Sequence, residues 1–120
     1  MILIIGGAYQ GKLDFAKNQY GITEEKIYTC TTEEIDFSQQ CIYKLEEFTY
    51  HHLDPIGYFK ANHEQWKDSI LICQDIFCGV VPCSEAERAW RQKTGRLAQY
   101  LSREATRVSR IFCGLEQRLK

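Results

Sequence analysis

Ile2-Leu3-Ile4-Ile5-Gly6-Gly7-Ala8-Tyr9-Gln10-Gly11-Lys12 runs an apolar β-stretch directly into a glycine loop, and a helical pattern from Leu13 to Tyr20 follows at once. A strand with no polar face is buried on both sides, as the inner strands of a parallel sheet are. The frame Gly6-x4-Gly11-Lys12 is that of a phosphate-binding loop. Glycines let successive backbone N–H groups turn inward around a phosphate, the helix N-terminus adds positive dipole, and the lysine reaches the β- and γ-phosphates as a point charge. The motif normally closes with Ser or Thr, whose hydroxyl ligates Mg²⁺, and here that position is Leu13. Asp14 lies about 100° further around the helix and does not simply substitute. The same residues also read as a tight βα turn with a surface lysine.

Outward from this unit the chain alternates strand-like and helix-like segments. Gly21 stops the first helix, Lys26–Thr31 reads as a strand, and Ile42, Leu45, Phe48 or Thr49, and Leu53 recur at helical spacing from about Ser38. Asp54-Pro55 opens another helix, with Ile56, Phe59, His63 and Trp66 as its stripe. Ser69–Gln74 is again apolar on both faces and ends at Asp75, the place where a phosphate-loop fold holds its metal or the metal's waters. Ser84 and Glu87 form a capping box for a helix running to about Ala105, with Trp90, Leu97, Leu101 and Ala105 facing the core. Val108–Cys113 is a further strand, Gly114 a turn, and Gln117–Lys120 a short edge strand. The order predicts one α/β domain over residues 1–120, a mostly parallel sheet flanked by helices.

Composition narrows the function classes. With 120 residues, 44% hydrophobic and 26% charged, disorder is excluded, and no apolar run is long enough to span a bilayer. No basic segment precedes the first apolar run, so a cytoplasmic protein without a membrane partner is expected. Residues 1–83 carry a net charge of −6 and residues 84–120 a net +5. A basic third suggests a local anion site, a partner surface or a solvated helix face. A nucleic-acid partner is not expected, because no aromatic stacking platform accompanies the charge.

The six cysteines, at 30, 41, 73, 78, 83 and 113, have no zinc-knuckle spacing. Cys30, Cys73 and Cys113 fall in or beside strands and read as reduced, buried thiols. His51, His52 and His63 read as helix-face histidines, and Glu33-Glu34 and Glu46-Glu47 as solvated faces.

Several separated motifs in the second half agree in order: Gly79-Val80-Val81-Pro82, Arg88-Ala89-Trp90-Arg91, Gly95-Arg96-Leu97-Ala98-Gln99 and Cys113-Gly114-Leu115 with a closing Leu119-Lys120. Over residues 1–31 and 69–120 the chain resembles the adenosylcobinamide kinase / adenosylcobinamide-phosphate guanylyltransferase family of cobalamin biosynthesis. That family reads G-G-A-R-S-G-K-S, then N-E-V-G-x-G-I-V-P, R-x-F-R-D-x-x-G-R-x-N-Q and V-x-G-x-x-x-x-x-K. The resemblance implies a RecA-like P-loop domain, ATP or GTP in the loop, phosphorylation of the aminopropanol hydroxyl of a cobinamide, and a homo-oligomer, often a trimer.

Carried over by position, Gly6, Gly7, Ala8, Gly11 and Lys12 match the nucleotide-binding loop. Lys12 and Asp75 become the catalytic candidates, with Asp75 an indirect Mg²⁺ candidate. Arg88, Arg91, Arg96 and Gln99 become candidates on the substrate side. The departures are equally specific. Tyr9-Gln10 replaces Arg-Ser, Leu13 the metal-ligating Ser, Gln74-Asp75-Ile76-Phe77 replaces Asn-Glu-Val-Gly, Cys83 a Glu, and Ala98 an Asn. The Arg-His-Arg segment whose histidine accepts GMP in the family is missing after Cys30, and the middle of the chain is shorter. The expectation is a kinase-like nucleotide-binding protein with weakened or lost metal-dependent chemistry and no guanylyltransferase activity. A non-catalytic nucleotide-binding or interaction homologue is the alternative.

Overall fold

Strand Ile2–Gly6 (β1) lies at the heart of a six-stranded sheet, between Ile70–Gln74 (β4) and Arg107–Phe112 (β5), and is parallel to both. The computed structural model describes residues 1–76 and 84–120. The remaining strands and α-helices among the described residues are Lys12–Tyr20 (α1), Ile27–Thr29 (β2), Cys41–Tyr43 (β3), Leu45–His51 (α2), Pro55–Ala61 (α3), His63–Trp66 (α4), Glu85–Glu104 (α5) and Leu115–Arg118 (β6), with a 3-10 turn at Glu24–Lys26 before β2. The sheet order is β2-β3-β4-β1-β5-β6, and only the β5–β6 pairing is antiparallel. The α/β architecture expected from the alternating segments is therefore present.

Side-chain alternation along the inner strands builds a core on each face. Leu3, Ile42, Leu71, Cys73 and Val108 point to the face where Phe48, Phe59, Trp66, Leu97 and Leu101 come in from α2 to α5. Ile4, Cys41, Ile70, Ile72 and Ile111 point the other way, against Ala16 of α1 and Ile22. This explains why Ile2–Ile5 and Ile70–Cys73 show no polar period: both faces are dry.

The helix expected from Asp54-Pro55 is split at Asn62 into α3 and α4, and of its stripe Phe59 and Trp66 are buried while Ile56 and His63 are half-buried. Asp54 Oδ1 accepts from Gly57 N at 3.1 Å, and Phe59 and Trp66 are fully buried. Ser84 Oγ accepts from Glu87 N at 3.3 Å, and Leu97, Leu101 and Ala105 are buried as predicted. In α1, Lys12 and Ala16 are buried and Gln19 is exposed.

The helix expected from about Ser38 is corrected. Cys41–Tyr43 is a strand, paired in parallel with β2 on one side and β4 on the other. The helix begins only at Leu45, after Lys44 takes a left-handed φ of 63° that separates strand from helix, and Leu53 is exposed rather than buried. The spacing of Ile42, Leu45 and Thr49 imitates a helix period because the chain changes element while staying on the same core. Pairing with strands distant in sequence, which no local pattern reports, decides the outcome. Cys113 is likewise corrected: it sits exposed in the β5–β6 turn, whereas Cys30, Cys41 and Cys73 are buried. Burial pushes the Cys30 thiol up to about 12 and the Cys41 thiol up to about 11, so neither is a reactive thiolate.

The edge strand forms two residues earlier than expected, over Leu115–Arg118. Glu116 fastens it to β5: its Oε2 accepts from Ser109 Oγ and from Arg107 Nη2, each at 2.6 Å. The hydroxyl first and the guanidinium second hold the carboxyl below its usual 4.5. A carboxylate depressed in the folded state contributes stability that is complete above the usual value and is lost as pH falls through the lower folded value. The urea midpoint of the parent should therefore exceed that of Glu116→Gln at neutral pH. The gap should close on acidification below about 4.5; a gap independent of pH would refute the assignment.

Candidate functional site

The C-terminal edge of the sheet collects the groups that the sequence singled out. The register pairs Gly6 with Gln74, and the next residue, Asp75, donates its backbone N–H to Gly6 O at 2.8 Å. Loop and acid therefore meet where the strand pattern requires, at the ends of adjacent parallel strands.

Gly6 must be glycine because of close approach: a Cβ there would lie 2.6 Å from the backbone oxygen of Ile111. Gly11 adopts φ 90° and stands at the start of α1 with no side-chain cap, so the first-turn amides of Lys12, Leu13 and Asp14 open onto the loop. Tyr9, also left-handed at φ 60°, is fully exposed at the tip. Gln10 ties the loop to the β5–β6 turn, its Oε1 accepting from Cys113 N at 2.6 Å and its carbonyl from Gly114 N at 2.9 Å.

Lys12 is buried, and its ammonium donates to Gly7 O at 2.6 Å. Burial lowers its pKa below the usual 10.5, opposed by the nearby carboxylates of Glu46 and Asp75. Burial makes this charge costly, and Gly7 O is the hydrogen-bond partner that offsets part of the cost. Beside it lies a cleft of about 640 Å³ whose wall runs from Ala8 to Asp14 and is completed by Tyr43, Lys44 and Gln74.

Glu46 corrects the expectation of a solvated pair. Glu47 is exposed, but Glu46 is buried, and its Oε1 accepts from Gln74 N at 2.9 Å. Its carbonyl accepts from Trp90 Nε1 at 2.8 Å, and the neighbouring Thr49 hydroxyl lies 2.6 Å from that of Thr94. These bonds pin α2 to α5 and set a carboxylate at the end of β4, opposite Lys12. Acidic residues in a first helical turn are commonplace, so only the tertiary packing distinguishes Glu46 from Glu47. Lys44 and Tyr43 are also residues of this cleft that sequence reasoning did not select.

The arginine motif lies on α5. Arg88, Arg96 and Gln99 are exposed and Arg91 half-buried, and none of the four lines the cleft beside Lys12. Ala98 is buried on the inner face of α5, away from that cleft. Phe77, Cys78, Gly79, Val80, Val81, Pro82 and Cys83 lie outside the described residues. His52 accepts Asp54 N on its Nδ1 at 2.9 Å, and His63 packs on Trp66 with ring centroids 4.8 Å apart, both in structural roles.

The donors for magnesium are incomplete. Asp75 Oδ1 is buried without a hydrogen-bond partner among the described residues, which suits a cation or its water. Leu13, lining the cleft where the hydroxyl ligand belongs, offers no oxygen. Among the described residues no group of three His, Cys, Asp or Glu side chains is arranged to hold a metal. One carboxylate oxygen is not a dedicated Mg²⁺ site. Neither a family model nor a curated protein matches this chain.

Proposed function

We propose that this chain is a RecA-like P-loop protein that binds a nucleoside triphosphate, ATP or GTP, on residues 6–12. The observation that carries the reading is Lys12 buried beneath the loop and bonded to Gly7 O, beside an acid bonded through its own backbone to Gly6 O. A plain βα turn has no reason to bury an ammonium at an energetic cost. The loop amides and the start of α1 receive phosphate oxygens, and Lys12 exchanges its carbonyl partner for one of them.

The resemblance to adenosylcobinamide kinases supports a corrinoid alcohol, a cobinamide, as the acceptor and a homo-oligomer as the working form. The missing Arg-His-Arg segment after Cys30 favours transfer of a phosphoryl rather than a guanylyl group, in keeping with a cleft that no histidine lines among the described residues. A binding homologue without turnover is favoured by one observation, the side chain of Leu13 in the cleft wall. Binding rests on amides and Lys12, whereas phosphoryl transfer needs charge neutralised as the reaction proceeds.

Calorimetric titration with ATP and with GTP, in Mg²⁺ and in EDTA, tests this. Binding of at least one triphosphate, little altered by the metal, is expected, with slow or no phosphorylation of cobinamide. Absence of binding to either nucleotide would reduce the loop to a tight turn. Rapid phosphorylation would instead show that the chemistry is intact.

A further inference from the structure

We propose that Lys44 is the second cation of this cleft and holds the outer phosphate of a triphosphate, supplying charge that Leu13 no longer recruits through a divalent ion. The proposal rests on the nucleotide reading above and names a residue and a mechanism that the loop motif does not contain.

Three observations carry it. Lys44 lines the same cleft as Gly11, Lys12 and Leu13, because β3 runs parallel to β4 and ends at the same sheet edge. Its side chain is exposed and lies over the Tyr43 ring, with Nζ 5.7 Å from the centroid, and it has no carboxylate partner among the described residues. Lys12, in contrast, is buried beneath the loop with Gly7 O as its partner, so its ammonium stands deeper in the site than that of the exposed Lys44. Among the described residues, the other charged side chains that line the cleft are Lys12 and Asp14.

The chemistry is charge pairing without bond making. A triphosphate brings more negative charge than a diphosphate, and most of the excess sits on its terminal group. A lysine acts there as a point charge, needing no fixed coordination geometry. Selectivity for the triphosphate over the diphosphate then persists in EDTA.

The test uses the full chain, titrated with ATP, ADP, GTP and GDP in EDTA, as parent, Lys44→Gly and Lys44→Arg. Glycine removes the ammonium and suits the left-handed backbone, so its melting temperature should equal or exceed that of the parent. Expected are a loss of about tenfold or more in triphosphate affinity for Lys44→Gly, a smaller loss for diphosphate, and recovery in Lys44→Arg. Unchanged triphosphate affinity in Lys44→Gly, or equal losses for both phosphate lengths, overturns the role of Lys44 while leaving the nucleotide reading intact. Failure of the parent to bind any of the four nucleotides overturns both.

Discussion

Lys12→Ala abolishes nucleotide binding while leaving the protein folded: that is the outcome expected from a buried ammonium that the fold tolerates rather than uses. Burial is the dominant influence on Lys12 and lowers its pKa. A lysine depressed in the folded state contributes stability only above its ordinary value of 10.5 and subtracts from it as pH falls through the folded value. At neutral pH the charge is therefore a cost of folding. Its removal, most cleanly by the volume-matched Lys12→Met, should leave the thermal midpoint unchanged or raised.

Binding responds in the opposite direction. A charge-assisted bond to phosphate is worth about 1.5–3 kcal/mol, and burial in a low-dielectric site strengthens it, so a loss of at least ~100-fold in affinity is expected. The protonated lysine is the form that receives an anion. Affinity of the parent should accordingly weaken as pH rises through the lowered pKa of Lys12. Retention of parental affinity in both variants would remove Lys12 from the site.

The second large effect is structural and lies at the other end of the sheet. Trp66 is fully buried, donates Nε1–H to Phe59 O at 2.6 Å, and packs against Phe59 with ring centroids 5.5 Å apart. Trp66→Ala removes the largest side chain of this core and leaves the Phe59 carbonyl with Asn62 N–H, at 3.2 Å, as its remaining donor. Losses of about 3–5 kcal/mol are typical of such truncations, a large share of the roughly 5–15 kcal/mol that holds a domain together. A urea titration should show the midpoint falling accordingly, with Trp66→Phe losing less. Because Trp66 precedes β4, whereas the loop lies beyond its far end, nucleotide affinity of the folded fraction should remain near that of the parent. A midpoint shift equivalent to less than about 1 kcal/mol would mean that the cavity closes by repacking.

These two residues also show how legible the chain was. Trp66 stands at helical spacing from Phe59, and its burial follows from that local pattern although the chain breaks at Asn62 between α3 and α4. Lys12 was selected by the glycine loop, but its burial and its bond to Gly7 O were not readable from the motif. Glu46, Tyr43 and Lys44 were missed because their chemistry arises from packing: the same dipeptide supplies a buried carboxylate at Glu46 and an exposed one at Glu47.

By itself the sequence determined the elements whose signals are local. The doubly apolar strands β1 and β4, the glycine loop leading into α1, the Ser84 cap and the Asp54-Pro55 start each follow from period, turn chemistry or capping within a few residues. Tertiary structure alone decided that Cys41–Tyr43 is a strand, that β6 starts at Leu115, that Glu46 is bonded to Gln74 at the end of β4, and that Lys44 lines the cleft. A three-residue strand earns its hydrogen bonds from partners distant in the chain, and a side chain's burial depends on what packs over it. Both are long-range properties, set only when the sheet closes and α5 settles on α2.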